Sequence, residues 1–378
     1  MSGVPRTGLY VHWPYCAQVC PYCDFNVTRA RGVDEAAWGA AFADDLAHLR
    51  DRYGPRPLVS LYLGGGTPSL MSAGLIGQVI EAADRTFGLA ADAEVTLEAN
   101  PDDVGAVALA GWRAAGVNRL SLGVQSFDDA QLAFLGRNHD GAAARRAVEA
   151  TLAAFERSTF DLIYALPGEG AGAWSARLSD ALRMGPRHLS LYQLTVEPGT
   201  AFARAVARGD WTPPGEALDA DLYEATAAVA TSAGLPPYEV SSYAAPGHRA
   251  VHNALYWQGA DWFGIGPGAH GRVTTSGGRV ATEGARGIAG YLGQAPAERL
   301  TEEALTPGET FTEALSGGLR MTEGIATERL GSAAPAVLSA AAPLIADGLL
   351  TGGEERLAAT PAGRLVLDAL TAELLRTF

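Results

Sequence analysis

The chain has 378 residues, of which 48% are hydrophobic and 19% are charged, a composition typical of a globular protein with a sizeable buried core. Its net charge of −14 disfavours general binding to nucleic acids, because an acidic surface repels their phosphates. All 28 basic residues are arginines, which excludes the chemistry of a Schiff-base lysine and of a Walker A lysine.

Apolar runs and cysteine usage both bear on where the protein works. Its N-terminal segment, MSGVPRTGLYVHWPYC, has no apolar run typical of a signal peptide, and no later stretch approaches about 20 uninterrupted apolar residues. The closest, 333–350, contains Pro335, Pro343 and Asp347. Only three cysteines occur, all between positions 16 and 23, so no disulfide framework is available. We expect a cytoplasmic protein without a transmembrane segment, for which peripheral membrane contact stays open.

Strand-like and helix-like segments alternate through the first 235 residues. The strand-like segments are short and rich in Leu, Tyr and β-branched residues: 9–12, 58–63, 94–97, 119–124, 160–163 and 188–194. The helix-like segments are longer and Ala-rich: 34–50, 72–86, 103–115, 128–155, 172–184 and 216–233. Six strand-then-helix units in series predict an α/β fold with a parallel sheet, either open or part of a barrel.

Polar or Gly-rich loops follow four of these predicted strands. They are the cysteine loop 16–23, the glycine run 64–68, and the segments 98–101 and 125–126. Ligand-binding groups in such folds lie after the carboxyl ends of the strands. We therefore predict that the four loops converge at one edge of the sheet.

The alternation weakens after about residue 235. Residues 238–270 are rich in aromatic residues, His and Gly, and we predict irregular loops laid across the mouth of a barrel. From about residue 300 the pattern predicts two helices, a hairpin and a last helix, over residues 308–319, 333–346, 348–359 and 361–376. That order resembles a winged-helix unit, here serving for packing or as a lid. The predicted divisions of the chain are therefore residues 1–235, 236–299 and 300–378.

The most informative string is the cysteine loop, Cys16-Ala-Gln-Val-Cys20-Pro-Tyr-Cys23. Three thiolates on one short loop can ligate three irons of a [4Fe–4S] cluster and leave the fourth iron open. The amine and carboxylate of S-adenosylmethionine can chelate that iron, and electron transfer then releases a carbon radical. A zinc site is one alternative, although it needs a fourth ligand, such as His12 or Asp24, where zinc usually takes two separated pairs. A redox dithiol is the other.

The remaining loops supply groups suited to a polar cofactor. The glycine run lets a ligand approach the backbone closely, and it lacks the Lys-Ser or Lys-Thr of a P-loop. Glu98 can accept hydrogen bonds from an ammonium or a ribose hydroxyl. Gln125, Arg137 and Asp161 are polar groups at or near strand ends. An exposed loop acid or a surface ion pair is the alternative interpretation for these side chains.

A third segment combines histidine with aromatic residues. It runs from His252-Asn253-Ala-Leu-Tyr256-Trp257 to His270. Histidine is a common axial ligand of haem, and an aromatic cleft suits a planar porphyrin. From the residues alone, a hydrogen-bonded loop histidine that packs a domain junction is the favoured interpretation of His252.

Six strings together resemble one known family. They are YVHWPYC at 10–16, CPYCDF at 20–25, GGGTPS at 64–69, EANP at 98–101, GVQSF at 123–127 and DLIYALPG at 161–168. They are similar to HemW, the haem-chaperone branch of the radical SAM proteins related to oxygen-independent coproporphyrinogen III oxidase. The resemblance covers nearly the whole chain. It implies an incomplete (βα)6 radical SAM barrel with a small C-terminal helical, winged-helix-like domain.

The resemblance also implies a set of site residues. A [4Fe–4S] cluster would be held by Cys16, Cys20 and Cys23. Contacts to S-adenosylmethionine are implied for Tyr10, Tyr22, Gly65, Gly66, Thr67, Glu98, Gln125, Arg137 and Asp161. The pattern His-Asn-x-x-Tyr-Trp is associated with haem in this branch, and it is present here as His252, Asn253, Tyr256 and Trp257. This association reverses the interpretation of His252 from the residues alone.

Two departures separate the chain from the oxidase. The oxidase has a further cysteine where this chain has Phe25, and it has several tens of residues ahead of its cluster loop. We therefore expect a haem chaperone that carries haem as cargo to acceptor haemoproteins, respiratory enzymes at the membrane among them. The rival hypothesis is the oxidase itself, favoured by the complete cofactor set, which a carrier need not retain. A third hypothesis, an iron–sulfur regulator that contacts DNA or a partner, is disfavoured by the acidic charge.

Overall fold

A single eleven-stranded sheet runs through the computed structural model, which describes residues 6–376. The ends of the first and last predicted divisions, residues 1–5 and 377–378, lie outside the described residues, as does part of the segment tested for a signal peptide. The strands are β1 (Thr7–Trp13), β2 (Tyr15–Cys16), β3 (Thr28–Arg29), β4 (Leu58–Gly65), β5 (Leu89–Ala99), β6 (Arg119–Gln125), β7 (Arg157–Tyr164), β8 (His188–Gln193), β9 (Ser242–Ala244), β10 (Asp261–Ile265), β11 (His270–Thr275), β12 (Gly278–Gly284), β13 (Leu300–Ala304), β14 (Ile325–Ala326), β15 (Leu350–Gly352) and β16 (Arg356–Ala359).

Helices cover the sheet and build the C-terminal unit. They are α1 (Glu35–Tyr53), α2 (Ala73–Phe87), α3 (Ala106–Ala114), α4 (Asp129–Phe134), α5 (Gly141–Ala154), α6 (Ala171–Leu182), α7 (Ala201–Ala207), α8 (Glu216–Ser232), α9 (Val251–Trp257), α10 (Ile288–Gly293), α11 (Pro296–Arg299), α12 (Pro307–Arg320), α13 (Ala334–Ala346), α14 (Pro361–Arg364) and α15 (Leu367–Leu375). Short 3-10 turns occur at Pro68–Leu70, Pro101–Asp103 and Thr327–Ala333.

The sheet order is β13-β12-β11-β10-β1-β4-β5-β6-β7-β8-β9. Every pairing from β10 through β8 is parallel, whereas the pairings outside that stretch are antiparallel. The six predicted strands are β1, β4, β5, β6, β7 and β8, neighbours in the order in which the chain forms them. Because β13 and β9 are the free edges of this order, the sheet does not close, and the predicted incomplete barrel is confirmed.

Local sequence explains why these units form. In α2 the buried residues Leu75, Ile76, Val79 and Ile80 recur at helical spacing, which places them on the face toward the sheet. The Ser72 hydroxyl accepts from the Leu75 amide at the start of α2, and Gly88 ends it with φ of 80°. Strand β4 is buried on both faces, as expected for a strand covered by helices on one side and facing the barrel interior on the other.

Two predicted helices are interrupted. The helix predicted over 128–155 is wrong as a single element, since residues between α4 and α5 leave the helix at Gly136, whose φ is 66°. A side chain at Gly136 would stand 2.7 Å from Pro21 Cδ, so the chain passes close to the cysteine loop at this point. The last predicted helix is likewise divided into α14 and α15. The first break matters for the site, because it brings Arg137 against that loop.

The prediction of irregular loops over 238–270 is wrong in part. Residues Asp261–Ile265 form β10, which pairs in parallel with β1 and buries Phe263 and Ile265 in the main core. Strand β9 adds to the opposite edge of the sheet by pairing with β8. Helix α9 lies between them in sequence and carries the His252–Trp257 string. This region therefore extends the sheet at both edges.

The C-terminal unit has a core of its own. Leu315, Leu319, Val337, Leu357 and Leu374 are buried together there, apart from the core of the barrel. The predicted hairpin is present as β15 and β16, which join β14 in a three-stranded sheet. Helix α12 connects the unit to the barrel, because a side chain at Gly317 would lie 3.1 Å from the carbonyl oxygen of Trp257 in α9.

One helical stretch in the described residues, Thr327–Ala346, is long and apolar enough by length and composition to cross a membrane. It joins a 3-10 turn to α13 across a kink at Gly331, whose φ is 56°. Val337 and Ala341 of this stretch pack into the C-terminal core. Those two contacts are the kind that a core helix makes.

We predict that Leu61→Ala lowers the free energy of unfolding by about 2–5 kcal/mol, because Leu61 is fully buried in β4 at the centre of the sheet. The matched control is Val107→Ala on α3, where Val107 is 88% exposed and the change should stay within about 0.5 kcal/mol. Urea unfolding of both variants checks this, and equal losses would contradict the assigned core.

Candidate cofactor site and adjoining cavity

The cysteine loop is closed at its base by two short parallel strands. Strand β2, which ends at Cys16, pairs with β3, and the Thr28 amide donates to the Pro14 carbonyl at 2.7 Å. Within the loop the Cys23 amide donates to the Cys20 carbonyl at 3.2 Å. Cys16 is buried, whereas Cys20 and Cys23 are partly exposed. All three thiols border one cavity of about 320 Å³, here called the cofactor cavity.

The glycine run at the end of β4 holds this loop in place. The amides of Gly66 and Thr67 donate to the carbonyls of Trp13 and Tyr15 at 2.7 and 2.8 Å. A side chain at Gly66 would stand 2.5 Å from the Tyr15 oxygen, so only glycine fits there. The Gly65 amide donates to Glu98 Oε2 at 3.1 Å. Since these amides bind protein groups, any ligand contact from this run uses oxygen atoms instead.

Arg137 faces the loop from the opposite side. It lies after the break between α4 and α5, and its Nη1 donates to Cys20 Sγ at 3.3 Å. Its Nη2 donates to the Gly123 carbonyl at 2.9 Å and to Asn100 Oδ1. Its Nε is buried without a hydrogen-bond partner. Desolvation opposes its charge, but the proximity of Tyr22 and Cys20 outweighs that effect and raises the pKa of Arg137.

Two buried carboxyl groups complete the floor of the cavity. Burial raises the pKa of Glu98 to about 7, opposed by hydrogen bonds from Tyr62 Oη at 2.7 Å and from Gly65. Burial likewise raises the pKa of Asp161 to about 7, opposed by Ser190 and Arg137. One carboxyl oxygen of Asp161 has no hydrogen-bond partner. Both groups are therefore poised to bind a cationic or hydroxyl-bearing ligand.

The structure brings most of the predicted cofactor residues together. Those that border the cofactor cavity are Cys16, Cys20, Tyr22, Cys23, Gly65, Gly66, Thr67, Glu98, Gln125, Arg137 and Asp161. Tyr10 faces the two neighbouring cavities instead. Within residues 6–376, no three His, Cys, Asp or Glu side chains converge closely enough to hold a single metal ion.

Sequence reasoning missed Asn100, Ser121 and Tyr192, which also border this cavity. Each lies at or just after the carboxyl end of a sheet strand, or within one whose side chain faces the interior. The signal that could have found Asn100 is its place directly after β5, in the same loop as Glu98. Tyr192 offered no such motif.

A larger cavity of about 740 Å³, here called the large cavity, adjoins the cofactor cavity. Gly65, Glu98 and Phe25 border both. Its walls are mainly aromatic and comprise Tyr10, Phe25, Tyr256, Trp257 and Trp262. Helix α12 of the C-terminal unit supplies the opposite side. The volume is within the roughly 300–1,000 Å³ of ordinary ligand sites.

The predicted haem residues divide into two pairs. Tyr256 and Trp257 border the large cavity, whereas His252 and Asn253 do not. His252 is buried, with Nδ1 2.8 Å from Ser60 Oγ and Nε2 2.7 Å from Tyr256 Oη. Burial lowers the pKa of His252 to about 3, so the ring is neutral. Asn253 accepts from Trp257 Nε1 at 3.0 Å. His252 and Asn253 thus hold the two aromatic rings from behind.

Two other histidines border the large cavity. Both ring nitrogens of His12 are engaged, with Tyr10 Oη at 3.0 Å and the Asn26 carbonyl at 2.9 Å. His270 has a side chain 53% exposed, and its Nε2 lies 3.9 Å from Glu283. Among the histidines at this cavity, His270 is therefore the more accessible to a ligand.

Comparison with known proteins agrees with this architecture. The profile of the Radical SAM superfamily matches residues 10–175, and that of the HemN C-terminal domain matches residues 305–366. The solved structure of coproporphyrinogen III oxidase (HemN) from Escherichia coli has a TM-score of 0.81 at 22% identity, covering 98% of this chain and 90% of that one. That likeness shows the fold. The parallel sheet and the three-cysteine loop after its first strand define a radical SAM protein, whose chemistry uses a [4Fe–4S] cluster and S-adenosylmethionine.

Two curated relatives narrow the family. The heme chaperone HemW of Mycobacterium tuberculosis is 37% identical over 383 residues, covering 99% of this chain and 96% of that relative. The mitochondrial radical S-adenosyl methionine domain-containing protein 1 of Bos taurus is 43% identical over 285 residues, which is 75% of this chain and 64% of that relative's length. The chain belongs to the HemW family, so the resemblance noted in the sequence is confirmed.

We predict that Gly66→Ala lowers the capacity to hold a cluster, because the new methyl group would meet the Tyr15 carbonyl and displace the base of the cysteine loop. Iron and sulfide content after anaerobic reconstitution measures the effect. Gly74→Ala in α2 is the matched control, since the nearest atom to its new methyl group is Ser72 Oγ at 3.6 Å. Full cluster content in Gly66→Ala would contradict the assigned role of the glycine run.

A second prediction concerns pH. Because the pKa of Glu98 rises from 4.5 to about 7 on folding, its stabilising contribution is complete below the unfolded pKa and is lost as pH rises through 7. Glu98→Gln should therefore lose less stability than the wild type between about pH 5 and pH 8. Unfolding measured across that range tests this. Glu149→Gln, at an exposed position on α5, should keep the wild-type slope, and an unchanged slope in Glu98→Gln would contradict the prediction.

Proposed function

We propose that the protein is a haem chaperone, which binds haem in the large cavity and delivers it to acceptor haemoproteins. The observation that carries this proposal is the aromatic cavity between the barrel and α12, joined to the cofactor cavity at Gly65, Glu98 and Phe25. Its size and its apolar walls suit a planar tetrapyrrole. The name of the relative that spans this chain almost completely, a heme chaperone, supports the same function.

The cofactor cavity fits a radical SAM cofactor set. Three thiols on one closed loop, a glycine run without side chains and the unpartnered atoms of Arg137 and Asp161 are the groups that such a set requires. Cys16, Cys20 and Cys23 would hold the cluster, and bound S-adenosylmethionine supplies a carbon radical when it is reduced. Arg137 stabilises a thiolate at Cys20, because its guanidinium donates to that sulfur.

The other cofactor residues position and shield. Glu98 and Asp161 accept hydrogen bonds from an ammonium or from hydroxyl groups, while Gln125 and Tyr22 border the same space. Tyr10 lies on the side of Glu98 that faces the large cavity, and its hydroxyl is paired with His12. We therefore assign Tyr10 to the boundary between cofactor and haem.

In the haem site, Tyr256 and Trp257 act as a wall, together with Trp262, whose ring meets Tyr256 edge-on at 4.7 Å between centroids. His252 and Asn253 position these rings through the hydrogen bonds described above. We infer that His270 supplies the imidazole nitrogen to the haem iron, because the ring nitrogens of His252 and His12 are engaged within the protein.

Delivery requires an acceptor, and the large cavity borders the C-terminal unit through Thr310, Glu313 and Gly317 of α12. A movement of this unit relative to the barrel would open the cavity from that side. We propose that an acceptor haemoprotein, such as a respiratory enzyme at the cytoplasmic face of a membrane, contacts the protein there.

The oxidase remains the second candidate, favoured by the direct contact between the two cavities at Glu98. A radical formed at the cofactor would have a short path to a porphyrinogen propionate. Anaerobic incubation with coproporphyrinogen III and a reductant distinguishes the two functions. Formation of protoporphyrinogen IX over many turnovers would favour the oxidase, and haem transfer without turnover would favour the chaperone.

We predict that His270→Ala, in cluster-loaded protein, weakens haem binding by about tenfold or more and shifts the Soret band, because the iron loses its protein ligand. His248→Ala removes a surface histidine that does not border the cavity and should bind haem as the wild type does. Anaerobic titration followed by Soret absorbance and by electron paramagnetic resonance makes the measurement.

The same titration separates His270 from His252. His252→Gln keeps a polar group toward Tyr256 and should retain the wild-type Soret and resonance spectra. If His252→Gln loses the axial signature and His270→Ala keeps it, then His252 is the ligand and the buried ring rotates on binding. Haem that transfers to no apo-acceptor would count against the chaperone function itself.

A further inference from the structure

The large cavity is bordered by an arginine that has no acidic partner. Arg329, in the 3-10 turn before α13, is half-buried, and within residues 6–376 no carboxylate pairs with it. Its guanidinium lies directly against Gly259, where a side chain would collide with it. Burial and the neighbouring positive charges of Arg279 and Arg356 lower the pKa of Arg329. A half-buried cation with cationic neighbours is costly unless an anion joins it.

Arg279 of β12 meets Arg329 at the same turn. Its Nη1 and Nη2 donate to the carbonyls of Gly259 and Ala260, both at 3.1 Å. It also lies 3.5 Å from Asp261 Oδ1 and 3.6 Å from Glu313 Oε2. Both arginines border the large cavity, so two guanidinium groups converge on one end of it.

The charges around this turn do not balance. Asp261 is shared with Arg56 at 2.5 Å, and Glu313 is shared with Arg272 at 2.7 Å. Four guanidinium groups, those of Arg56, Arg272, Arg279 and Arg329, therefore face two carboxylates, and two positive charges are uncompensated. The excess is local, since the whole chain carries −14.

We propose that Arg329 and Arg279 form a carboxylate subsite of the large cavity, which binds the two propionate groups of a tetrapyrrole. The planar guanidinium is suited to paired hydrogen bonds with a carboxylate. Aromatic walls cover the macrocycle, and the two surplus charges match the two propionates of haem. Glu313 also borders the cavity, but its charge is held by Arg272 and Arg279. This subsite rests on the proposed haem function and fixes the orientation of the ligand.

The test compares haem with its dimethyl ester, which keeps the macrocycle and iron but loses both carboxylates. Each ligand is titrated into the cluster-loaded full chain, as wild type, Arg329→Gln, Arg329→Lys and Arg376→Gln. Arg376 is an exposed arginine of the C-terminal unit, paired with Glu373, so its variant matches the change in net charge away from the cavity. Thermal unfolding of each variant establishes that it is folded.

We expect Arg329→Gln to weaken haem binding by about tenfold or more, while its affinity for the dimethyl ester equals that of the wild type. Arg329→Lys should fall between the two, and Arg376→Gln should bind both ligands normally. Saturable haem binding that Arg329→Gln leaves unchanged, or an equal loss for both ligands, would overturn the subsite alone. The absence of saturable haem binding in the wild type would overturn the haem function and the subsite with it.

Discussion

The close backbone contact between the carboxyl ends of β1 and β4 is the constraint on which the site depends. Three consecutive amides, those of Gly65, Gly66 and Thr67, donate to Glu98, Trp13 and Tyr15. This contact leaves no room for a side chain at Gly66, and it fixes both the base of the cysteine loop and the carboxyl group at the cavity floor. The glycine run of this chain therefore shapes the site through the protein before it meets any ligand.

The two cavities share this frame, which explains how one chain could combine radical cofactor chemistry with a large apolar cargo. The chain leaves the helix at Gly136, which carries Arg137 onto Cys20, and β10 joins β1 so that Trp262 stands beside the same strand. Glu98 lies where the two spaces meet, with its pKa raised to about 7 by burial. A change in charge at Glu98 would be felt on both sides.

The sequence predicts the six-unit barrel, the hairpin and the cofactor residues because local patterns determine them: periodicity, strand-end loops and the spacing of three cysteines. It does not predict β10, since that strand is short and pairs with a segment about 250 residues earlier. It also gives no sign that His252 is enclosed by Ser60 and Tyr256, because Ser60 lies in a distant strand. Arg329 has no motif at all, and its interest arises only when folding sets it beside Gly259 and Arg279.

A crystal structure of the cluster-loaded protein grown with haem tests the central claim most directly, which is that cargo and cofactor occupy adjoining cavities that meet at Glu98. We predict haem density between Trp262 and α12, with iron at His270 and the propionates toward Arg329 and Arg279. Haem bound to the cysteine loop, or lying on the outer surface away from Tyr256 and Trp257, would contradict this arrangement and with it the assignment of the large cavity.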